Sequence, residues 1–341
     1  MIDRTLDAAL MSEPLDMAHG TDAGRWARLP VSLFGAVMAL SGLALAWRLA
    51  ASEWGLPAWI GEVLGLVAAG TFVALLLAYG KKCVASPAAI RAEFAHPVAA
   101  NFFATPIISL LLLPAIVAPY ALAVAKALWV TGTLAMIGFA WLIVSRWMSV
   151  RQQVAHATPA WMVPVVGTLN IAIAGVAIDI PGAQAISAFG LALGLFFAIP
   201  LFTLILSRLI FEEPMPQPLQ PSLMILVAPF AVGFSAYLNV TRRLDLFASS
   251  LFYLAVFMFF VLAPKLLRLR SSSAFGLSWW AVGFPLAAMT NASLKFSIHQ
   301  PSWVTQAFAV ALLAFTSFVI LSLSVRTIAS MARGDPEALA P

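Results

Sequence analysis

Long apolar stretches alternate with short polar connections along almost the whole chain. A helix that crosses a membrane needs about 20 mainly apolar residues. Measured by that length, the pattern predicts ten membrane spans, at approximately 29–49, 59–80, 98–117, 121–145, 161–178, 183–207, 222–240, 246–264, 275–296 and 303–325. The connections are short enough for antiparallel neighbours, so the ten spans pair into five helical hairpins. The longest connection, 81–97, is predicted to be a loop.

The composition also predicts an all-α integral membrane protein. Of the 341 residues, 62% are hydrophobic and only 10% are charged, whereas a soluble domain carries about 25% charged residues. Residues 1–28 are polar and lack the basic start and short apolar core of a signal peptide. We therefore expect a disordered tail at 1–28, a ten-helix membrane domain at 29–325 and a second tail at 326–341.

The basic residues predict the orientation of the chain in the bilayer. With ten spans, 14 of the 19 Lys and Arg residues fall on the side that holds both termini, and 5 fall on the other side. Loops rich in Lys and Arg remain in the cytoplasm. Both termini are therefore expected to be cytoplasmic, and orientation explains the net charge of +5 better than a nucleic-acid partner does.

Each odd-numbered span carries an early proline, namely Pro30, Pro106, Pro164, Pro229 or Pro285. Prolines are common in membrane helices, but their recurrence at similar depth in alternate spans favours a repeated hairpin unit. A proline leaves the backbone of a helix incompletely hydrogen-bonded, and such a break must face protein or a water-filled cavity. The pattern predicts five kinked helices around a central path, with five straighter helices facing lipid.

The sequence offers no arrangement typical of an enzyme. All 14 acidic residues lie in tails, loops or span ends, and the four histidines are scattered without the spacing of metal ligands. We therefore expect no catalytic site, no metal and no cofactor. Lys295 lies in the outer half of the ninth span. Two interpretations stay open for it: a long side chain that reaches the interface, or a positive vestibule that attracts anions.

Four stretches resemble one transporter family. They are L-P-V-S-L-F-G (29–35), R-A-E-F-A-H-P-V-A-A-N-F-F (91–103), A-P-F-A-V-G-F-S-A-Y-L (228–238) and W-A-V-G-F-P-L-A-A-M-T-N (280–291). Together they are similar to the tellurite-resistance/dicarboxylate transporter family, which includes the plant slow-type anion channels. The resemblance covers 29–325, the whole predicted membrane domain.

The resemblance implies five hairpins in a pseudo-fivefold arrangement around a pore, a homotrimer with one pore in each subunit, and a place in a bacterial inner membrane. It also implies that Phe284 occludes the pore and that Gly35 is the small residue beside this gate. Composition alone favours a packing role for Phe284, because the chain has 24 phenylalanines. The resemblance favours the gate.

Two functions follow from these observations. The first is an anion channel that passes small inorganic or organic anions, for which weak binding is suitable. The alternative is a secondary transporter for C4-dicarboxylates or tellurite-type oxyanions. A dicarboxylate carrier is expected to place an arginine near the membrane midplane, and no arginine lies centrally in a predicted span. The sequence therefore favours the channel over the carrier, and either of them over a receptor or a structural membrane protein.

Overall fold

The computed structural model describes residues 29–175, 178–272 and 276–333. The described residues form helices joined by turns, and no strand occurs among them. Eight helices in this part of the chain are long and apolar enough to cross a membrane. Of the two remaining predicted spans, Pro159–Gly175 is apolar but shorter, and the segment 277–299 is long enough but less apolar. The prediction of an all-α membrane protein is thus confirmed, with eight membrane-length helices.

The α-helices are numbered here along the chain. They are α1 (Gly35–Trp54), α2 (Ala58–Ala85), α3 (Pro87–Ala95), α4 (Ala104–Val117), α5 (Leu122–Ser149), α6 (Val163–Val166), α7 (Ile171–Gly175), α8 (Ala183–Phe211), α9 (Ala228–Thr241), α10 (Leu246–Ser272), α11 (Trp280–His299) and α12 (Trp303–Arg333).

Five segments begin as 3₁₀-helix before they become α-helical, and we call them the inner segments. Their 3₁₀ stretches lead into α1, α4, α6, α9 and α11, and are Val31–Phe34, Ala99–Phe103, Pro159–Met162, Gln217–Val227 and Leu277–Trp279. The inner segment that contains α6 has a second 3₁₀ stretch, Gly167–Asn170, and continues as α7. The inner segments correspond to the odd-numbered predicted spans.

Burial separates the inner segments from the outer helices α2, α5, α8, α10 and α12. The buried share of the most apolar stretch is 78% in the segment that contains α1, 61% in that of α4 and 72% in that of α9. In the outer helices the share lies between 28% and 39%. The outer helices instead expose large apolar side chains such as Leu66, Trp141, Phe196, Phe257 and Leu321. This division agrees with the predicted alternation of central and lipid-facing helices.

The inner segments that contain α1, α4 and α11 run parallel to one another, as their contacts show. A Cβ on Gly35 would lie 3.7 Å from Trp280, and a Cβ on Gly42 would lie 2.8 Å from the Cβ of Ala287. These contacts advance in the same direction along α1 and α11. Hydrogen bonds from the start of α4 to the start of the first inner segment show the same direction for α4. Equivalent ends of these segments therefore lie at the same membrane face.

Small residues bring the outer helix α2 close to the inner segments. A Cβ on Gly61 would lie 2.9 Å from the Cγ of Arg48, and one on Gly65 would lie 2.8 Å from the Cγ2 of Ile116. In lipid, helices associate largely through such close packing, since apolar burial gives little drive between them.

The loop prediction for 81–97 is wrong, because α2 continues to Ala85 and α3 occupies most of the remainder. Pro87 is the first residue of α3, a position whose backbone N–H would have no partner within the helix. At the other terminus, α12 continues to Arg333, into the predicted tail at 326–341. The predicted tail 1–28, with Arg4, Arg25 and Arg28, and residues 334–341 lie outside the described residues.

A buried ion pair fixes the entry of the first inner segment. Glu93 Oε2 accepts hydrogen bonds from Lys82 Nζ at 2.6 Å and from the Tyr79 hydroxyl at 3.0 Å. Glu93 Oε1 accepts from the Val31 backbone N–H at 2.7 Å, and Lys82 also donates to the Leu29 carbonyl at 2.7 Å. The Lys82 side chain is only 3% exposed. The glutamate of the E-F-A-H-P-V stretch is therefore an anchor for α1.

The rest of that stretch is also structural. Arg146, on α5, donates hydrogen bonds to two carbonyl groups at the end of α3. His96 Nδ1 accepts from two backbone N–H groups at the start of the following inner segment. Burial and the nearby His156 lower the pKa of His96, so its ring stays neutral and can accept these bonds.

We expect Glu93→Ala to lower the free energy of unfolding by about 3–5 kcal/mol, because it leaves the buried ammonium of Lys82 without a counter-charge. Thermal unfolding of the protein in detergent would measure the loss. Glu53→Ala, which removes an exposed carboxylate, is the matched control and should have almost no effect. Equal stability of the two variants would show that the ion pair does not anchor α1.

Candidate functional site

A cavity of about 410 Å³ lies between the inner segments. Every residue that lines it belongs to an inner segment, except Pro119, which lies in the turn after α4. All five inner segments contribute to the lining, and no outer helix does. The cavity is therefore the place where the predicted central path is open.

The cavity occupies one half of the molecule. Its lining begins at Gly42 on α1 and at Phe284 on α11, and it continues toward the carboxy-terminal ends of these helices, to Ser52 and Lys295. On each inner segment, the residue one helical turn before the first lining residue is buried. These residues, which lie toward the opposite half, are Met38, Ile108, Val166, Ala228 and Trp280. By the predicted orientation, the cavity faces the outer side.

Phe284 lies at the boundary between the packed half and the cavity. Its half-buried side chain packs against hydrophobic residues from two core clusters and also lines the cavity. The next residue, Pro285, is inside α11 and has no N–H to donate to the Ala281 carbonyl. Phe284 therefore borders the cavity, and its role as a gate stays a prediction.

Gly42, which the sequence analysis missed, is the small residue that adjoins Phe284. A Cβ on Gly42 would lie 3.9 Å from Phe284 Cδ2, whereas the nearest atoms to a Cβ on Gly35 all belong to Trp280. Gly35 is also absent from the cavity lining. No motif distinguishes these two glycines in the sequence, and only the crossing of α1 and α11 does so.

The five predicted kink prolines occupy the beginnings of the inner segments. Pro30 precedes the first 3₁₀ stretch, and Pro164 and Pro229 lie in the first turn of α6 and α9. Pro106 is the third residue of α4, while Pro285 is deeper in its helix. None of the five lines the cavity. Pro106, Pro164 and Pro229 therefore mark the change from 3₁₀- to α-helix, Pro30 marks the start of a 3₁₀ stretch, and of the five only Pro285 interrupts an established α-helix.

Lys295 lines the cavity, and its position is fixed by an asparagine. Its Nζ donates to Asn239 Oδ1 at 2.8 Å. Asn239 Nδ2 in turn donates to the carbonyls of Ala172 and Ile173, at 3.0 and 3.2 Å. Asn239 therefore ties together three inner segments, those of α7, α9 and α11. Sequence reasoning did not identify it, because its partners lie more than fifty residues away.

A second cation, Arg48, lines the cavity and is bonded through both of its terminal nitrogens. Its Nη2 lies 2.6 Å from Glu62 Oε2, and Glu62 also accepts a hydrogen bond from the Tyr120 hydroxyl. The Arg48 Nη1 donates to the carbonyls of Ala115 and Ile116, at 3.1 and 3.0 Å. Arg48 lies at the end of the first predicted span, 29–49. The structure instead places it inside α1, which continues to Trp54.

Polar side chains without partners also face this region. Ser235 Oγ and Asn170 Oδ1 are buried and have no hydrogen-bond partner among the described residues, and both residues line the cavity. Asn291, also in the lining, donates to the Gly42 and Ala287 carbonyls.

The charges of the lining are of one sign. It contains two cationic side chains and no carboxylate, and because Arg48 is paired with Glu62 outside the lining, the net positive charge that favours anions comes from Lys295. Within the described ranges, no group of three or more His, Cys, Asp or Glu side chains is placed to hold a metal ion.

Comparison with known proteins identifies one family. The profile of the SLAC1 family, described as a voltage-dependent anion channel, matches residues 28–328. The S-type anion channel SLAH3 of Arabidopsis thaliana is 30% identical over 309 residues, which are 88% of this chain and 48% of the plant protein. The guard cell S-type anion channel SLAC1 of the same plant is 24% identical over 315 residues, 88% of this chain and 55% of that protein.

A bacterial relative matches over most of its length. The tellurite resistance protein TehA homolog of Haemophilus influenzae is 25% identical over 312 residues, which are 90% of this chain and 92% of that protein. By contrast, the chain spans about half the length of the plant relatives it matches.

Proposed function

The chain belongs to the SLAC1 family of voltage-dependent anion channels, and we propose that it conducts small anions across a membrane. The observation that carries this proposal is the cavity. It is lined by the inner segments, it holds cationic side chains without a carboxylate, and it ends at a phenylalanine ring. Lys295 would raise the local anion concentration, while the mainly apolar lining would keep binding weak enough for release.

We propose that ten spans surround this path as five hairpins in a pseudo-fivefold arrangement. In this proposal Pro159–Gly175 and the segment 277–299 also cross the membrane, although one is short and the other less apolar. Both are inner segments, so surrounding helices satisfy their irregular backbone. Polar residues of α11, such as Asn291 and Lys295, face the cavity rather than lipid, which explains its low hydropathy.

We propose that Phe284 is the gate. Its ring lies where the cavity meets the packed half, with core residues on one side and open space on the other. A rotamer change of this kind costs on the order of 1 kcal/mol when the side chain leaves its preferred well. Gly42 rather than Gly35 would be the small residue beside the gate.

The arginine of the cavity favours the channel over the dicarboxylate transporter. A carrier would use an arginine to clamp a carboxylate of its substrate. The guanidinium of Arg48 is already bonded to Glu62 and to two backbone carbonyls. Arg48 is thus a structural group that closes the end of α4 rather than a substrate clamp.

We expect Phe284→Ala to raise anion flux severalfold in liposomes that contain matched amounts of folded protein. The half-buried ring should cost less stability than a core phenylalanine, whose loss typically costs about 3–5 kcal/mol. Phe234→Ala is the matched control, since Phe234 is fully buried. It should lose that stability and gain no flux. A Phe284→Ala variant that is stable and conducts no more than the parent would contradict the gate, and absence of anion flux from both would contradict the channel.

We propose that the chain lies in the cytoplasmic membrane of a bacterium with both termini in the cytoplasm. Exposed positions at opposite ends of the helices, Ala88 and Ser302, test the orientation. In a Cys83→Ser background, an impermeant maleimide should label Ser302→Cys in spheroplasts and Ala88→Cys only after lysis. Labelling of both from the same side would overturn the orientation.

We also propose a homotrimer with one pore in each subunit. Outer helices that expose Trp141, Phe196 and Ile199 provide apolar surface for contacts between subunits. Native mass spectrometry in mild detergent should give a mass of three chains. A stable monomer or dimer under conditions that preserve anion flux would exclude the trimer.

A further inference from the structure

We propose that the cavity outside Phe284 is a discrete site that holds one small monovalent anion while the ring blocks the path, with Lys295 Nζ and Ser235 Oγ as its direct donors. This inference rests on the proposed channel function, because it assigns a binding site to the same path. Binding in the blocked state can nevertheless be measured without any conduction.

The ammonium of Lys295 has capacity for an anion. It carries three N–H donors, and one of them is used by Asn239 Oδ1. Across the described ranges there are two ion pairs, Arg48–Glu62 and Lys82–Glu93, and neither includes Lys295. A cation that is removed from bulk water without a counter-charge is costly. A bound anion would remove that cost.

Asn239 keeps the site positive. Its two donations to backbone carbonyls fix the amide so that the oxygen, and not the nitrogen, faces Lys295. An aspartate of the same shape would neutralise the ammonium. The neutral amide holds Lys295 in place and leaves its charge for a ligand. Asn239 is thus a positioning residue.

Ser235 supplies the second donor. It lies one turn before Asn239 on α9, lines the cavity and is 3% exposed, and its buried hydroxyl has no partner among the described residues. A buried hydroxyl without a hydrogen bond is unfavourable, and a hydroxyl can rotate to donate to an anion. Asn170 Oδ1 is an acceptor, so it would hold water of the anion's hydration shell rather than the anion.

The charge balance selects a monovalent ligand. Arg48 is neutralised by Glu62, which leaves Lys295 as the uncompensated charge of the lining. A monovalent anion would balance the charge of Lys295, whereas a dicarboxylate would bring a second negative charge into a largely apolar cavity.

Anion-dependent thermal unfolding of the detergent-solubilised full chain tests the site. Bromide is titrated against gluconate at constant ionic strength, and a ligand that binds only the folded state raises the midpoint with a saturable dependence on its concentration. We expect saturable stabilisation of the parent and of Phe284→Ala. We expect none in Lys295→Gln. In Ser235→Ala, loss of one hydrogen bond to a charged group should weaken affinity about tenfold.

Two matched controls separate ligand binding from structural effects. Lys126→Gln removes a cation from the outer helix α5, and Ser187→Ala removes a buried, unpartnered hydroxyl that is not in the lining. Both should bind bromide like the parent. Ser235→Ala should be as stable as the parent in gluconate, because its hydroxyl has no partner to lose among the described residues.

Three results would overturn the site: stabilisation that does not saturate, parental affinity in Ser235→Ala, or the same loss of affinity in the two controls. Ser235→Ala decides the question if Lys295→Gln does not fold. Flux measured in parallel separates the two proposals. Saturable binding without flux would support the site and contradict the channel, whereas flux without saturable binding would contradict only the site.

Discussion

Backbone and side-chain polar groups inside a bilayer must find their partners within the protein, and the rest of this structure follows from that constraint. The inner segments contain 3₁₀ stretches and early prolines, which leave irregular backbone. Regular outer helices surround them and expose apolar side chains such as Leu66 and Phe257. The irregular segments are therefore collected at the centre, where they can border a path that holds water or ions.

Long-range hydrogen bonds from asparagine side chains hold the inner segments together around the cavity. Asn239 joins α7, α9 and α11, and Asn291 joins α11 to the Gly42 carbonyl on α1. An amide can bond to backbone carbonyls and to an ammonium without adding charge. A carboxylate at position 239 could accept the same bond from Lys295 but would cancel the positive charge of the cavity. Asparagine thus gives cohesion and anion preference together.

The sequence predicted those features that depend on local pattern. Hydrophobic length located the helices, recurring prolines separated inner from outer segments, and the resemblance directed attention to Phe284. It did not predict what depends on the crossing of distant segments. Gly42 rather than Gly35 adjoins Phe284 because of the contact between α1 and α11. Ser235 and Asn239 join the site only when α9 packs beside α11. The helix α3 was missed for another reason, since its nine residues are too few to carry the signal of a membrane span.

Cationic groups at the two ends of the molecule serve different purposes. At the end where α1 begins, Lys82 is bonded to Glu93, and Arg146 is bonded to backbone carbonyls of α3. These cationic groups stabilise the packing of the chain, because their N–H donors are bonded to a carboxylate or to backbone carbonyls. At the cavity end, Arg48 is likewise bonded to Glu62, but the partner of Lys295 is a neutral amide. The choice of a partner, carboxylate or asparagine, therefore decides whether a buried cation stabilises the fold or is available to an ion in the path.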